Sequence, residues 1–540
     1  MDTLSPIANL RSPFPVPRPP RSWLLASPLG LAAVQAFAAV ALVVVAHGVP
    51  DAGDGGFRGT VNDTVSSGSR RRLALLADAF DWVPGLGLVE LGPQGFVWGL
   101  RGALLGLAAV QVLALVACRR SPDGEATWRW AVGPVATALI LLAFPPFSAD
   151  VFFYALTGDV ANMGENPYRV APRDFPDHPF LPFSDWKSIT SPYGPLWTSF
   201  SRNVVAATGT DPTVAVFGFK ILAAGAALAL AALTHEVAKK LTNDPRRALG
   251  AFVLVAWSPV LLLESAGTAH NDGIMMLAAI CGLLVLALPR RGTTRIGLAI
   301  LAASAAIKYA TLPLLAAAAL WRLRRNARRD GLDPTLGRWM LDAAVVIGVL
   351  VLAFAPYWIG LRGTVAILRA QERRFFVNPL WLLPRIGIDR WRGEDAAARF
   401  AEDARRVAQW GTAGVVVLAL IWLAWTTWRA HSSTDADPAV PDRAALRAQV
   451  RAWAAITVAL GLLPVSNHVW YAVWPVAPVA LAWATGGARL VGCLPAKRRP
   501  RRRWFSARVR RGPWGLGWAV VGYLTVSAFV VVAYHAHPAW

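Results

Sequence analysis

Apolar residues fall along this 540-residue chain in long blocks, without the one-face spacing of an amphipathic helix. About 20 such residues are what a helix needs to cross a hydrocarbon core. On that rule the pattern predicts spans near 23–47, 94–117, 129–147, 212–234 and 248–266, then near 271–288, 339–360, 407–428, 453–466, 470–489 and 514–534. The first block is too long for a signal-peptide core and has no clear small-residue cleavage site, so it reads as a retained span. One block resists a single crossing. The stretch "IGLAILAASAAIKYATLPLLAAAALW" (296–321) carries Lys308 in its middle and runs into "RLRRNARR".

Composition agrees with a polytopic, all-α integral membrane protein: 55% of residues are hydrophobic and only 16% charged. The net charge of +22 is almost all arginine, since only six of 54 basic residues are lysine. The clusters sit between apolar blocks, where they mark cytoplasmic loops, and no helix-turn-helix or base-stacking pattern accompanies them, which excludes nucleic acid as the partner. With Arg11, Arg18 and Arg21 inside, the groups Arg119/Arg120, Lys239/Lys240/Arg246/Arg247, Arg290/Arg291 and "KRRPRRR" (497–503) all fall inside. "RLRRNARR" joins them only if 296–321 is two short helices turning at Lys308 and Tyr309.

The result is a bundle of about thirteen helices, that short pair included, with the N-terminus in and the C-terminus out. A cytoplasmic leader (1–22) precedes one membrane domain (23–534), which contains a basic cytoplasmic loop (488–513) and ends in a short outer tail (535–540). No 20- to 50-residue repeat is present, and Cys118, Cys281 and Cys493 are too scattered for a disulfide framework or zinc site. Four outer features follow: a long segment 148–211, "SAGTAHND" (265–272), a segment 362–406, and "SNHVWY" (466–471).

These outer segments carry the candidate chemistry. Loops as long as 148–211 are usually functional, and this one is dense in aromatics and proline. Asp150 stands at its membrane end, with Asp159 and Glu165 farther along; a spacing of nine makes no helical carboxylate pair. Two readings of Asp150 stand side by side. It caps an interfacial helix "VFFYALTGDVANMG" together with Ser148, or it is a buried general base. Lys308, a cation in an apolar stretch, is a functional candidate by default or snorkels to the interface. Lys220 is a weaker candidate of the same kind.

The runs "FSADVFFYALTGDVANMGENPYRV", "DWKSITSPYGPLWTSFSR", "AHNDGIMM" and "AAIKYATLPLL", in that order over roughly 130–490, resemble the GT-C superfamily of polyprenyl-phosphate-sugar-dependent glycosyltransferases. Within it they are closest to the actinobacterial α-(1→6)-mannosyltransferases. The resemblance implies a GT-C bundle with long outer loops bearing interfacial helices, and an active site on the outer face of the cell membrane. It implies inverting transfer of a sugar, mannose first, from a polyprenyl-phosphate donor to a glycan or lipoglycan acceptor of the envelope.

Asp150 is then the candidate base, since general-base catalysis needs a carboxylate within reach of the acceptor hydroxyl. A phosphate leaving group needs cations more than an acid. Lys308, His270, Arg373 and Arg374 are the expected phosphate contacts, the last two in a loop that is basic although outside. Asn271 and Asp272, which also suit a helix cap, join Tyr154, Asp159, Glu165, Tyr193, Trp197, His468 and Tyr471 as expected substrate contacts. For His468, Trp470 and Tyr471 an aromatic belt is the plainer alternative.

No cofactor is expected. The first large outer loop has no Asp-x-Asp, and "DFPD" (174–177) is wrongly spaced for a tight ligand pair, so no metal site is indicated. The rival readings are a lipid-sugar or polysaccharide transporter and a GT-C enzyme using another sugar. A transporter calls for inverted repeats and midplane polar groups; here the polar constellation lies at the outer boundary.

Overall fold

A computed structural model of the protein describes residues 27–47, 93–118, 126–288, 292–330, 332–362, 378–429 and 443–486, together with Arg72, Leu75 and Phe80. Among the described residues the regular structure is helical: α1 (Pro28–His47), α2 (Pro93–Cys118), α3 (Thr127–Leu141), α4 (Asp150–Asn162), α5 (Pro195–Thr208), α6 (Pro212–Thr242), α7 (Pro245–Ala256) and α8 (Pro259–Leu262). After a π-helical turn, Leu263–Gly267, come α9 (Asp272–Leu286), α10 (Thr293–Ile307), α11 (Leu312–Asp330), α12 (Leu332–Phe354), α13 (Pro379–Arg392), α14 (Glu394–Arg429), α15 (Arg443–Leu462) and α16 (Val476–Ala484).

Among the described residues five stretches are long and apolar enough to cross a membrane: Pro28–His47, Trp98–Cys118, Pro212–Thr242, Leu336–Tyr357 and Glu394–Thr426. A sixth is counted if α7 and the segment Pro259–Gly267, bent by 50°, form one span. The thirteen helices expected are therefore not reached among the described residues, and the reason is local. Ser258-Pro259 breaks one apolar block, because proline removes the donor that would continue the preceding helix. Asp272–Leu286, Thr293–Ile307 and Trp470–Ala484 are apolar but shorter than a span, and Lys308, with extended backbone, makes the break of the short helix pair between α10 and a 3-10 turn at Tyr309–Thr311. The last block, 514–534, and the basic loop 488–513 lie outside the described residues. Large apolar side chains stand on the outside of the bundle, Phe37 at 75% exposure and Leu352 at 76% among them, as lipid-facing positions do.

The centre is α6. Its buried face is a run of small residues, Ala223, Ala226, Ala227, Ala231 and Thr234, which lets neighbouring backbones approach closely, the usual basis of helix packing in membranes. Contacts reach it from α5, α7, α9 and α16. Its one internal cation is accounted for. Lys220 is fully buried, and its ammonium donates to the carbonyls of Leu142 (2.8 Å) and Phe144 at the C-terminal end of α3. A cation there satisfies orphan carbonyls and meets the negative end of the helix dipole, so Lys220 is a cap and not a snorkelling lysine. It also anchors the chain just before Asp150. At another corner, buried Asp342 on α12 joins Arg295 of α10 (3.3 Å) and Arg322 of α11 (3.4 Å).

The segment 148–211 is structured throughout. Helix α4 is not the interfacial helix that its aromatics suggested: every side chain from Asp150 to Ala161 is buried, as in a helix that is covered on all sides. Tyr168 pins the loop behind it, its hydroxyl within 2.8 Å of the Tyr193 carbonyl and 2.9 Å of Thr198 Oγ1. Gly194 then donates its N–H to the Ile307 carbonyl (2.9 Å). Only glycine fits there, because a Cβ would collide with the Ala306 carbonyl. That contact seats Tyr193 beside Lys308.

Candidate active site

Asp150 is the first residue of α4, and Ser148 Oγ accepts its N–H (3.2 Å). Its side chain does not cap the helix. It is buried, and its oxygens accept from Trp186 Nε1 (2.7 Å) and the Tyr193 hydroxyl (2.8 Å), with the Tyr154 hydroxyl at 3.5 Å. Burial, and then the Asp150 charge, hold the Tyr193 phenol well above its ordinary value, so Tyr193 serves as a donor. The carboxylate is thus fixed in direction by neutral groups.

The turn after α8 brings in the next group. His270 Nε2 lies 3.8 Å from Asp150 Oδ2, and its Nδ1 lies 3.0 Å from Glu264 Oε2 and 2.7 Å from Thr268 Oγ1. Its ring stacks on Trp470 at 4.2 Å, and Trp470 stacks in turn on His468 at 4.2 Å. Asn271 follows, fully buried, with neither amide atom hydrogen-bonded among the described residues. Two such atoms are costly unless something polar meets them.

Asp272, at the start of α9, ion-pairs with Lys308 at 2.8 Å, and Trp474 Nε1 donates to the same carboxylate oxygen. The Lys308 ammonium also lies over Tyr471 (4.4 Å), Trp474 (5.5 Å) and Tyr193 (5.8 Å), an arrangement in which ring quadrupoles favour a cation. The stretch of chain carrying His468 is clamped from the start of α13. Asn378 donates to the Leu462 and Pro464 carbonyls, both at 2.8 Å, and Trp381 Nε1 to that of Leu463 (2.6 Å). His468 itself is pushed down to about 4, by burial first, and is neutral at pH 7.

One site therefore gathers Asp150, Tyr154, Tyr193, His270, Asn271, Asp272, Lys308, His468 and Tyr471 from separate parts of the chain. Trp197 is buried beside it, edge-on to Tyr154 with ring centroids 5.0 Å apart. Asp159 and Glu165 lie elsewhere. Asp159 is two and a half turns along α4 and pairs with His178 (3.1 Å), whose pKa burial lowers despite the carboxylate; Glu165 is exposed. Arg373 and Arg374 lie outside the described residues.

Three groups are new to the site. Trp186 and Trp474 looked like ordinary aromatics of an interface, and no periodicity marked them. Glu264 did carry a signal, being a carboxylate within an apolar block. Of the three carboxylates Asp150, Glu264 and Asp272, it is Asp272 that pairs with the Lys308 ammonium. Among the described residues no group of three or more His, Cys, Asp or Glu side chains could hold a metal ion.

Residues 68–324, which include Asp150, His270 and Lys308, match the family described as "Alpha-(1->6)-mannopyranosyltransferase, N-terminal domain". The chain is similar to alpha-(1->6)-mannopyranosyltransferase A of Corynebacterium glutamicum, 29% identical over 170 residues, 31% of this chain and 34% of the relative. It is similar to alpha-(1->6)-mannopyranosyltransferase A of Mycobacterium tuberculosis, 27% identical over 241 residues, 44% of this chain and 45% of the relative. With alpha-(1->6)-mannopyranosyltransferase B of C. glutamicum the identity is 29% over 170 residues, 29% of this chain and 26% of the relative. The chain thus spans less than half the length of each of these relatives. No solved structure matches it. The likeness to the α-(1→6)-mannopyranosyltransferase family is thus carried by the segment 68–324, which is similar to that family's N-terminal domain.

Proposed function

We propose that this protein is an inverting mannosyltransferase that uses a polyprenyl-phosphate mannose donor and extends a glycan or lipoglycan on the outer face of the cell membrane. The observation that carries the reading is the setting of Asp150. It is a buried carboxylate held by two neutral donors, with a histidine, an asparagine of unmet hydrogen-bonding capacity and a lysine around it. The names of the relatives support the sugar.

In this reading an acceptor hydroxyl attacks the anomeric carbon, Asp150 takes its proton, and the bond from that carbon to the phosphate oxygen breaks with its electron pair going to phosphate. A base so held acts as the hydroxyl becomes nucleophilic. Lys308 supplies positive charge where the phosphate departs, while Asn271, next to His270, offers a donor. Arg373 and Arg374 add cations from the second outer segment, and His468, Trp470 and Tyr471 line the lipid-sugar groove. Asp159 and Glu165 meet more distant parts of the acceptor. The membrane topology belongs to the same proposal: about thirteen spans, N-terminus inside, with 148–211 outside.

The test is transfer by purified full-length protein in detergent, offered radiolabelled polyprenyl-phosphate mannose, glucose or arabinose with a mannan acceptor. Mannose alone should be transferred, and Asp150→Asn should abolish transfer while donor binding persists. Transfer of another sugar only would correct the substrate; transfer from none of them would remove the enzyme reading.

A further inference from the structure

The connection between α8 and α9 is built in an unusual way. Its first part is a π-helical turn, Leu263–Gly267, a widened form that is rare and gathers at functional sites. Ala269 then takes a positive φ of 60°. For a residue with a Cβ that conformation is strained, and such strain persists only where the surroundings impose it. The two distortions have one joint result. The His270 N–H reaches the Glu264 carbonyl at 2.8 Å, and the side chains of Glu264, Thr268 and His270 meet inside the protein, all three buried.

The hydrogen-bond directions there leave little choice. The Thr268 hydroxyl faces three acceptor oxygens, Glu264 Oε2 at 3.0 Å, the Glu264 carbonyl at 3.1 Å and the Leu263 carbonyl at 3.5 Å, and donating its one proton to any of them leaves its own oxygen to accept. His270 Nδ1 faces that oxygen at 2.7 Å and the carboxylate at 3.0 Å. Two acceptors toward one ring nitrogen require it to carry the proton. The other nitrogen, Nε2, has no hydrogen-bond partner among the described residues and lies 3.8 Å from Asp150 Oδ2. Trp470 against the ring face keeps it from turning away.

We infer that Glu264 is a positioning residue that fixes the Nδ1–H form of His270, so that the proton Asp150 takes from the acceptor hydroxyl passes on to His270 Nε2. This rests on the transferase reading. The acceptor O–H bond breaks as the new glycosidic bond forms; the proton moves from the hydroxyl to Asp150 and then to the imidazole. The imidazolium stands between two carboxylates, and the electron pair of the broken bond leaves with the phosphate. A buried carboxylate behind an imidazole orients it and stabilises its charged form, as in other carboxylate–histidine pairs.

The test uses the purified full chain with labelled polyprenyl-phosphate mannose. Glu264→Gln should lower kcat by about 10- to 100-fold and change the donor KM by less than about threefold, since the carboxylate touches no substrate. His270→Ala should cost at least as much, and the double variant should be no slower than His270→Ala alone, because Glu264 acts only through the ring. Thr268→Val, which keeps the side-chain shape, should lower kcat by about 3- to 10-fold, near the worth of one hydrogen bond; it carries the test if Glu264→Gln elutes as aggregate. A folded Glu264→Gln, or in its place a folded Thr268→Val, with kcat within twofold of wild type overturns the relay. So do losses at 264 and 270 that multiply. Wild-type protein that transfers no mannose overturns the transferase reading and this inference with it.

Discussion

Asp150 and Asp272 each open a helix, each is buried, and each accepts from an indole N–H, yet their surroundings differ in charge. Asp150 is held by neutral donors, with an imidazole at the longer distance of 3.8 Å. Asp272 is locked to an ammonium at 2.8 Å, itself enclosed by aromatic rings. The ammonium answers the Asp272 charge, whereas the donors that orient Asp150 carry none. In the proposed reaction the same residue type at the same helical position serves as base in one arm of the site and as a strut for Lys308 in the other.

Substitution by asparagine separates the arms. Asp150→Asn should lower kcat by about 10³-fold or more, in the upper range for losing a general base, while the thermal midpoint moves little because the Asn Oδ1 still accepts from Trp186 Nε1 and its amide N–H can donate to the Tyr193 hydroxyl oxygen. Asp272→Asn should do the reverse. It strands a largely buried ammonium, a change of about 3 kcal/mol, read as a lower midpoint and yield. Asp272→Asn with Lys308→Met should recover much of that stability but not donor affinity. Equal destabilisation by the two single variants would end the distinction.

Tyr193→Phe is a finer cut at the first arm, since it removes one hydrogen bond to Asp150 and keeps the ring over which Lys308 sits. The expected cost is about 1 kcal/mol of orientation, near a fivefold fall in kcat. An unchanged rate would mean that Trp186 alone aims the carboxylate.

How much of this was legible follows from what each residue type signals. The lysine at 308 announced the break because a charge in an apolar block is costly, and a break is there. Asp150 was found by its place at a membrane exit and by the run around it. Glu264 carried the signal of Lys308 but lay near the end of a block, where it passed for part of the connection. Trp186 and Trp474 were illegible for a different reason, since aromatics are expected at any interface and only folding shows which one donates to a carboxylate. The strained turn was hidden because its positive φ falls on alanine and not glycine. The thirteen-span count followed from the length of the apolar blocks and the charge between them, whereas the chain bends one block at Ser258-Pro259 and winds others into apolar helices shorter than a span.

The smallest effect concerns His468, which sits behind both arms. Burial is the main cause of its displacement to about 4, with Asp150 and Glu264 pulling upward and His270 and Lys308 pulling downward. Its ordinary value is near 6.5. Between those two values the unfolded chain binds a proton that the folded chain refuses, so stability is full above about pH 6.5 and falls as the pH drops toward 4, by at most about 1.4 kcal/mol per pH unit from this group. Below about 4 both states are protonated and its contribution levels off. His468→Gln, which cannot take the proton, should remove that slope while leaving those of the carboxylates. Thermal midpoints at pH 7, 5.5 and 4.5 for the two proteins read the difference directly: the wild type should lose more between pH 7 and 4.5. Parallel curves would mean that the folded protein admits the proton at His468, and that the ring stacked on Trp470 is less enclosed than the neutral half of the site requires.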